Sequence, residues 1–310
     1  MKTLLEICKA LELQPEVTEM VMEYAEKNKK KLDSFLKRSG NTSEMEENSC
    51  GKIDGSGIII SGEIPQARFP VDMIYHPETW DQGLKELREA LGEDTDGIGM
   101  LTCMLLCTLR TYEDYRRLGI SEQIFVDTMK CFPRFVGEHM ASYGRYGFDR
   151  SFWTPRQIAS RLFRIGELEY EMTVEEGKKV ISIHIPSDAV LVREKLHDSY
   201  LCAKNFFAGK FPDYGSAEMV CESWLLAPEL KYVLPEQSRI LEFQKEFRLT
   251  EVAYGDNEYL EWIFKRRDIP LEQLPENTSL QRNLKKYLIS GGKVGIGFGY
   301  LKEPAFDGKI

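Results

Sequence analysis

The residues best suited to proton chemistry cluster between 167 and 224. From Glu167 the chain alternates, with Leu168, Tyr170 and Met172 on one side and Glu167, Glu169 and Glu171 on the other. The next segment alternates too, with Ile181, Ile183 and Ile185 opposite Ser182 and His184. Alternation puts His184 and the glutamates on the outer faces of two half-buried strands. Imidazole titrates near neutrality and carboxylates orient or stabilise it, so general acid-base work is the chemistry these types offer. The bland alternative is a structural histidine beside solvated carboxylates. Further on, Cys221 and Ser223 share one side of the segment AEMVCESWLL, with Glu222 and Trp224 on the other. A cysteine nucleophile needs a depressed thiol pKa, and nothing nearby in sequence supplies one, so Cys221 reads as a buried small side chain. Ser223 and the phenols Tyr232, Tyr254 and Tyr259 are further donors whose default is packing.

Around these residues the chain reads as two halves, 1–150 and 151–310. In the first, apolar spacing predicts helices over 3–13, 15–38, 79–91, 96–117 and 121–140. A polar, glycine-rich stretch at 39–57 and a short β-like Ile58-Ile59-Ile60 lie between them. The second half alternates strands and helices. A hairpin turns around Glu175-Glu176-Gly177 between strands 167–172 and 180–185. A helix over 192–208 follows, with Leu196, Tyr200, Ala203 and Phe207 on one face, then a strand over 217–226. A helix over 238–247 precedes a second hairpin, 248–254 with 258–264. A helix over 278–290 opens with the capping box Thr278/Gln281 and stops at Gly291-Gly292, and a last strand spans 294–301. The piece 180–226 is one strand–helix–strand crossover, which implies a parallel pair. The segment Gly295-Ile296-Gly297-Phe298-Gly299 lacks the helix of a dinucleotide fingerprint and reads as a strand with one bare face for close packing. The fold class is α/β (α+β): a mainly helical domain followed by a mixed sheet.

Composition narrows the function. The 310 residues are 42% hydrophobic and 29% charged, a globular profile. A net charge of −9 argues against a nucleic-acid partner, whose backbone needs a cationic surface. The seven cysteines show no CxxC and no zinc spacing with histidine, so no metal site is expected and a reducing compartment is. The pair Cys103 and Cys107 shares a helix face as buried thiols. No apolar run nears the roughly 20 residues of a membrane span, and the start carries no signal-peptide core, so a cytoplasmic protein without a membrane partner is expected.

The segments RLFRIGELEYE (161–171), IHIPSDAVL (183–191), CESWLLAPEL (221–230), LPEQSRILEFQKEF (234–247) and TSLQRNLKKYLISGG (278–292) cover most of 155–301. With their spacing they resemble the bacterial two-domain acyltransferases that join a helical N-terminal domain to a GNAT-like C-terminal domain. The resemblance implies CoA-dependent transfer of an acyl group, expected to be acetyl, from acetyl-CoA or another acyl-CoA to the amine of a small molecule or peptide. It also implies that Ile183 and Ile185 offer backbone to the pantetheine amides, and that Ser187, Ala189 and Arg193 hold the pyrophosphate where a helix begins. His184 is then the base for the amine, Glu169 its helper, and Ser223 a donor to the leaving thiolate. One departure stands out. The GNAT loop signature is Arg/Gln-x-x-Gly-x-Gly/Ala, whereas this chain has Ser-Asp-Ala-Val-Leu-Val-Arg. No glycine lets backbone approach phosphates, and Asp188 adds a negative charge that Arg193 and Lys195 would have to offset. That departure favours the competing reading, a GNAT-like scaffold kept as a ligand sensor or interaction module.

Overall fold

The computed structural model describes residues 1–36, 70–265 and 269–302. The stretch 39–57, the Ile58–Ile60 strand and Cys50 lie outside the described residues. The described chain divides into two compact units, Met1–Phe163 and Arg164–Ile310.

The first unit is helical: α1 (Leu4–Ala10), α2 (Pro15–Lys27), α3 (Lys29–Leu36), α4 (Pro70–Met73), α5 (Trp80–Leu91), α6 (Ile98–Arg117), α7 (Glu122–Met129), α8 (Cys131–Tyr143) and α9 (Pro155–Ile158). Local caps set several starts. The Thr3 hydroxyl accepts from the Glu6 amide, and Ser121 accepts from Ile124. Asp94 accepts from the Gly99 and Met100 amides at the head of α6. Helix α6 is the centre of this unit, buried along most of its length. Cys103 and Cys107 are among its buried residues, and burial pushes the Cys107 thiol up to about 12. Two expected helices are each split: 15–38 at Asn28 and 121–140 at Lys130. The amide of each splitting residue still bonds four residues back, so the chain bends without losing its hydrogen bonds.

The second unit is built on a six-stranded sheet. Its strands are β1 (Leu162–Ile165), β2 (Leu168–Glu175), β3 (Lys178–His184), β4 (Glu218–Ser223), β5 (Phe247–Ala253) and β6 (Ile296–Leu301), in spatial order β1-β2-β3-β4-β6-β5. The crossover is as expected: β3 and β4 pair in parallel, joined through α10 (Arg193–Lys210). Helix α10 buries Leu196, Tyr200, Ala203 and Phe207, each large apolar side chain contributing about 1.5–3 kcal/mol. The β2–β3 turn is tighter than the expected 173–179. Glu176 (φ 49°) and Gly177 (φ 78°) form a two-residue loop, and two consecutive positive-φ positions match the right-handed twist of the flanking strands.

The expected second hairpin is overturned. β5 forms, but Glu258–Phe264 is helix α12, and β5 pairs with β6 instead. Tyr259, Leu260, Ile263 and Phe264 are its buried residues, which is the spacing of one helix face, and Asp256 accepts from the Glu258 amide. That face joins a core with Ala227, Leu230 and Val233, and with Leu284 and Leu288 of α13 (Ser279–Ile289). The capping box of α13 is present: Gln281 N donates to Thr278 Oγ1 and Thr278 N to Gln281 Oε1. A short helix, α11 (Arg239–Lys245), precedes β5. Strand β4 stops at Ser223, and Trp224–Leu226 tightens into a 3-10 turn. That turn fills the bare face of β6: a Cβ on Gly297 would lie 2.8 Å from the Leu226 Cβ and carbonyl oxygen.

Candidate active site

The strands that bear the candidate residues are joined unevenly. β2 and β3 are paired along the whole hairpin, from Glu175↔Lys178 to Glu169↔His184. β4 and β6 are paired from Val220↔Tyr300 to Ser223↔Gly297. Between them the parallel ladder of β3 and β4 holds three pairs, Val180↔Glu218, Ile181↔Met219 and Ser182↔Val220. Past Ser182 and Val220 both strands continue and keep their outer partners, but their facing edges are not joined. Ile183 and His184 border this opening on one side, and Cys221, Glu222 and Ser223 on the other.

Register assigns the faces. Tyr170, Met172, Ile181 and Ile183 share the face covered by α10, where the Tyr170 hydroxyl lies 2.8 Å from Ser199 Oγ. Glu169, Glu171, Ser182 and His184 share the other. There His184 Nε2 lies 2.8 Å from Glu171 Oε2, and both side chains are largely enclosed. A carboxylate held against one ring nitrogen fixes the orientation of the imidazole. Glu169 sits directly opposite His184 but is only 2% exposed, which corrects its expected place on a solvated outer face. The printed contact of His184 is thus with Glu171, a diagonal one that depends on strand register. Cys221 is fully buried and its thiol pushed up by burial, with Glu222 adding to the effect. Ser223 lies on the α10 side of the sheet, away from His184, and its Oγ accepts from the Leu225 amide at the head of the 3-10 turn.

The loop after β3 answers the question of Asp188. Its carboxylate receives two hydrogen bonds from Arg164 Nη1, at 2.7 and 2.9 Å. Arg164 comes from β1 and has no sequence signal beyond being a charge beside a turn. Lys195 pairs with Glu167 at 3.0 Å, and Arg193 reaches Glu246 at 3.5 Å. Glu167 also accepts from the Val190 amide. Burial works to raise its pKa, but Val190, Lys195 and Arg164 together bring it below the ordinary carboxylate range. Of the expected cofactor contacts, Ile183 is buried at the opening, Ile185 half-buried, and Ser187 exposed in the turn. The Ala189 amide already donates to Pro186 O. Val192 begins α10 without a side-chain cap, so first-turn amides are offered outward near the exposed Arg193. The helix start thus keeps amides for an anion, though part of the loop's backbone is committed to the protein. Among the described residues no group of three or more His, Cys, Asp or Glu is placed to hold a metal, and no helix is long and apolar enough to cross a membrane.

The comparisons assign this mixed sheet, with its one short parallel pair beside a helix start, to a class of acyltransferases. Residues 68–159 match the model of an N-acyltransferase N-terminal domain, and 162–301 that of a GNAT-like C-terminal domain. The chain belongs to the two-domain N-acyltransferase family in which these domains are joined, and it is an enzyme of the acyl-CoA-dependent acyltransferase class. No curated protein matches it in sequence. Among solved structures it is similar to an acyltransferase in complex with decanoyl-CoA and teicoplanin, at TM-score 0.66 and 21% identity over 96% of this chain and 99% of that one. A mutant acyltransferase in complex with octanoyl-CoA matches at TM-score 0.66 and 20% identity, over 98% and 100%. At such identities the likeness speaks for the fold.

Proposed function

We propose that this chain moves an acyl group from acyl-CoA directly to the amine of a small-molecule or peptide acceptor. The observation that carries the reading is the parallel ladder that ends at Ser182 and Val220 while both strands run on. Backbone at Ile183 and Ile185 pairs with the pantetheine arm, and the turn at Ser187 and Ala189 with Arg193 receives the pyrophosphate. His184 takes the amine proton. Glu171 holds the ring through Nε2 and stabilises the imidazolium, with Glu169 buried opposite on the same face. Ser223 contributes by fixing where β4 ends. No acyl-enzyme forms, in keeping with a Cys221 thiol held protonated by burial.

The finer identities rest on the neighbours. Their donors are octanoyl- and decanoyl-CoA, which supports a chain longer than the acetyl group expected from sequence. One also holds teicoplanin, which supports a small molecule as acceptor. The test is thermal shift and thiol release with acetyl-, octanoyl- and decanoyl-CoA against a panel of amines. A donor at 100 times its Kd adds about 2.7 kcal/mol of stability. The expected result is a raised Tm with acyl-CoA and amine-dependent release of CoA, faster with octanoyl than acetyl. No shift with any acyl-CoA overturns the proposal.

A further inference from the structure

Gln244 on α11 holds the chain just past β4. Its Nε2 donates to two backbone carbonyls at once, Leu225 O at 2.8 Å and Ala227 O at 2.9 Å. These carbonyls belong to the 3-10 turn and the residue after it, and Leu225, Leu226 and Ala227 are all buried. Both hydrogens of one amide nitrogen are thus used on a single bend. The Ala227 amide closes the bend on Trp224 O at 3.0 Å, and the Leu225 amide donates to Ser223 Oγ at 3.1 Å. Gln244 is therefore two hydrogen bonds away from Ser223, the last residue of β4 and part of the rim of the opening. The clamp is itself fixed. Phe243 and Phe247 flank it in the chain, both buried, with ring centroids 4.9 Å apart, and Lys302 N donates to Glu246 O at 2.8 Å. Past Ser182 and Val220 the facing edges of β3 and β4 carry amides and carbonyls that would gain hydrogen bonds by pairing. Strand β4 can approach β3 there only if its far end moves. That end is held by β6 through Ser223↔Gly297 and, beyond it, by the bend that Gln244 clamps.

We infer that Gln244 is a positioning residue for acyl transfer: by clamping the bend after β4 it keeps that strand off β3 and the opening ready for the thioester carrier. The inference rests on the proposed function above. No bond or proton moves at Gln244, and it acts only through the strand it holds. Its contribution is preorganisation, because a site open at rest needs none of the carrier's binding energy to part the strands. Without the clamp, part of the population closes or loosens the gap, and apparent affinity falls by the fraction that stays open. Once the carrier is seated the strands are parted again and the His184–Glu171 pair is unchanged, so turnover at saturation is kept.

Gln244→Met keeps the side chain's length and removes both donors. In titration calorimetry CoA should bind this variant about 3- to 30-fold more weakly than the parent, within the reach of two neutral hydrogen bonds. KM for octanoyl-CoA should rise by the same factor, with kcat and the KM for the amine little changed. Gln244→Asn keeps the amide but shortens its reach, should show the same split, and serves if the Met variant does not fold. Asn283→Ala is the control. It removes a comparable bond, from Nδ2 to Val233 O at 2.9 Å, and should lower Tm while CoA binds as in the parent. A Gln244 variant that loses Tm yet binds CoA like the parent would make the residue structural and overturn the inference. Equal weakening in Asn283→Ala, or a fall in kcat with CoA affinity unchanged, would overturn it too. A parent protein that binds no CoA overturns both proposals, whereas a CoA-binding parent matched by the Gln244 variants overturns this one alone.

Discussion

His184 Nε2 and Glu171 Oε2 meet at 2.8 Å on a diagonal of the β2–β3 hairpin, although Glu171 is paired in register with Ser182. The diagonal reach suits a long glutamate, and it brings a carboxylate against one ring nitrogen. This pair is the centre of the proposed base.

His184→Ala should lower kcat/KM for amine acylation about 100- to 10,000-fold, the usual worth of a general base. Glu171→Gln should cost less, about 10- to 100-fold, because an amide still accepts the hydrogen bond but no longer offsets the imidazolium charge. Thiol release under saturating octanoyl-CoA measures both. A His184→Ala protein that keeps its rate and loses only melting temperature would return the residue to a structural role.

Asp188 places a negative charge in the turn where a pyrophosphate is proposed, and Arg164 neutralises it. Asp188→Asn keeps the turn's size and frees guanidinium charge for an anion. CoA should bind about 3- to 10-fold tighter to that variant at low salt, with the gain shrinking as salt rises. Titration calorimetry with CoA at two ionic strengths reads this directly. Equal or weaker binding would place the pyrophosphate away from this turn.

The lowered pKa of Glu167 makes a pH prediction. A carboxyl whose folded pKa lies below its unfolded value stabilises the fold above the unfolded pKa, and loses that contribution as pH falls through the folded one. Glu167→Gln should therefore be less stable than the parent at pH 7. The gap in Tm should close as the buffer is taken into the acid range below about pH 4, where the unfolded carboxyl is largely protonated. Parallel melting curves across that range check the sign.

Gly297 is a steric requirement. A methyl there would meet the Leu226 Cβ and carbonyl oxygen at 2.8 Å, and backbone cannot swing aside as a side chain can. Gly297→Ala should destabilise the protein by about 1–3 kcal/mol in urea unfolding. Gly209→Ala, where an added Cβ meets nothing within 4 Å, is the matched control and should be neutral or stabilising.

Local pattern reached far into this fold. Apolar spacing located α5 and α6, the Thr278/Gln281 box marked the start of α13, and the strand–helix–strand order of 180–226 implied the parallel pair that β3 and β4 form. Such features are written within one turn or one strand, so nearby residues suffice to read them. Local pattern failed at Tyr259–Phe264. A hairpin partner for 248–254 was expected there, but burial of these residues on one helix face against Leu284 and Leu288 prevailed. The same distance blinded it to β5 choosing β6, whose residues lie more than a helix away in the chain.

The site divides along the same line. Residue types and alternation were enough to bring forward His184 and the glutamates, because side-chain facing repeats every second residue in a strand. Which glutamate reaches the imidazole, that Glu169 is enclosed, that Arg164 answers Asp188, and where the β3–β4 ladder stops all depended on packing. Each is a relation between segments whose register and separation are set by the assembled sheet and by the helix laid across it, and no window of neighbouring residues carries that information.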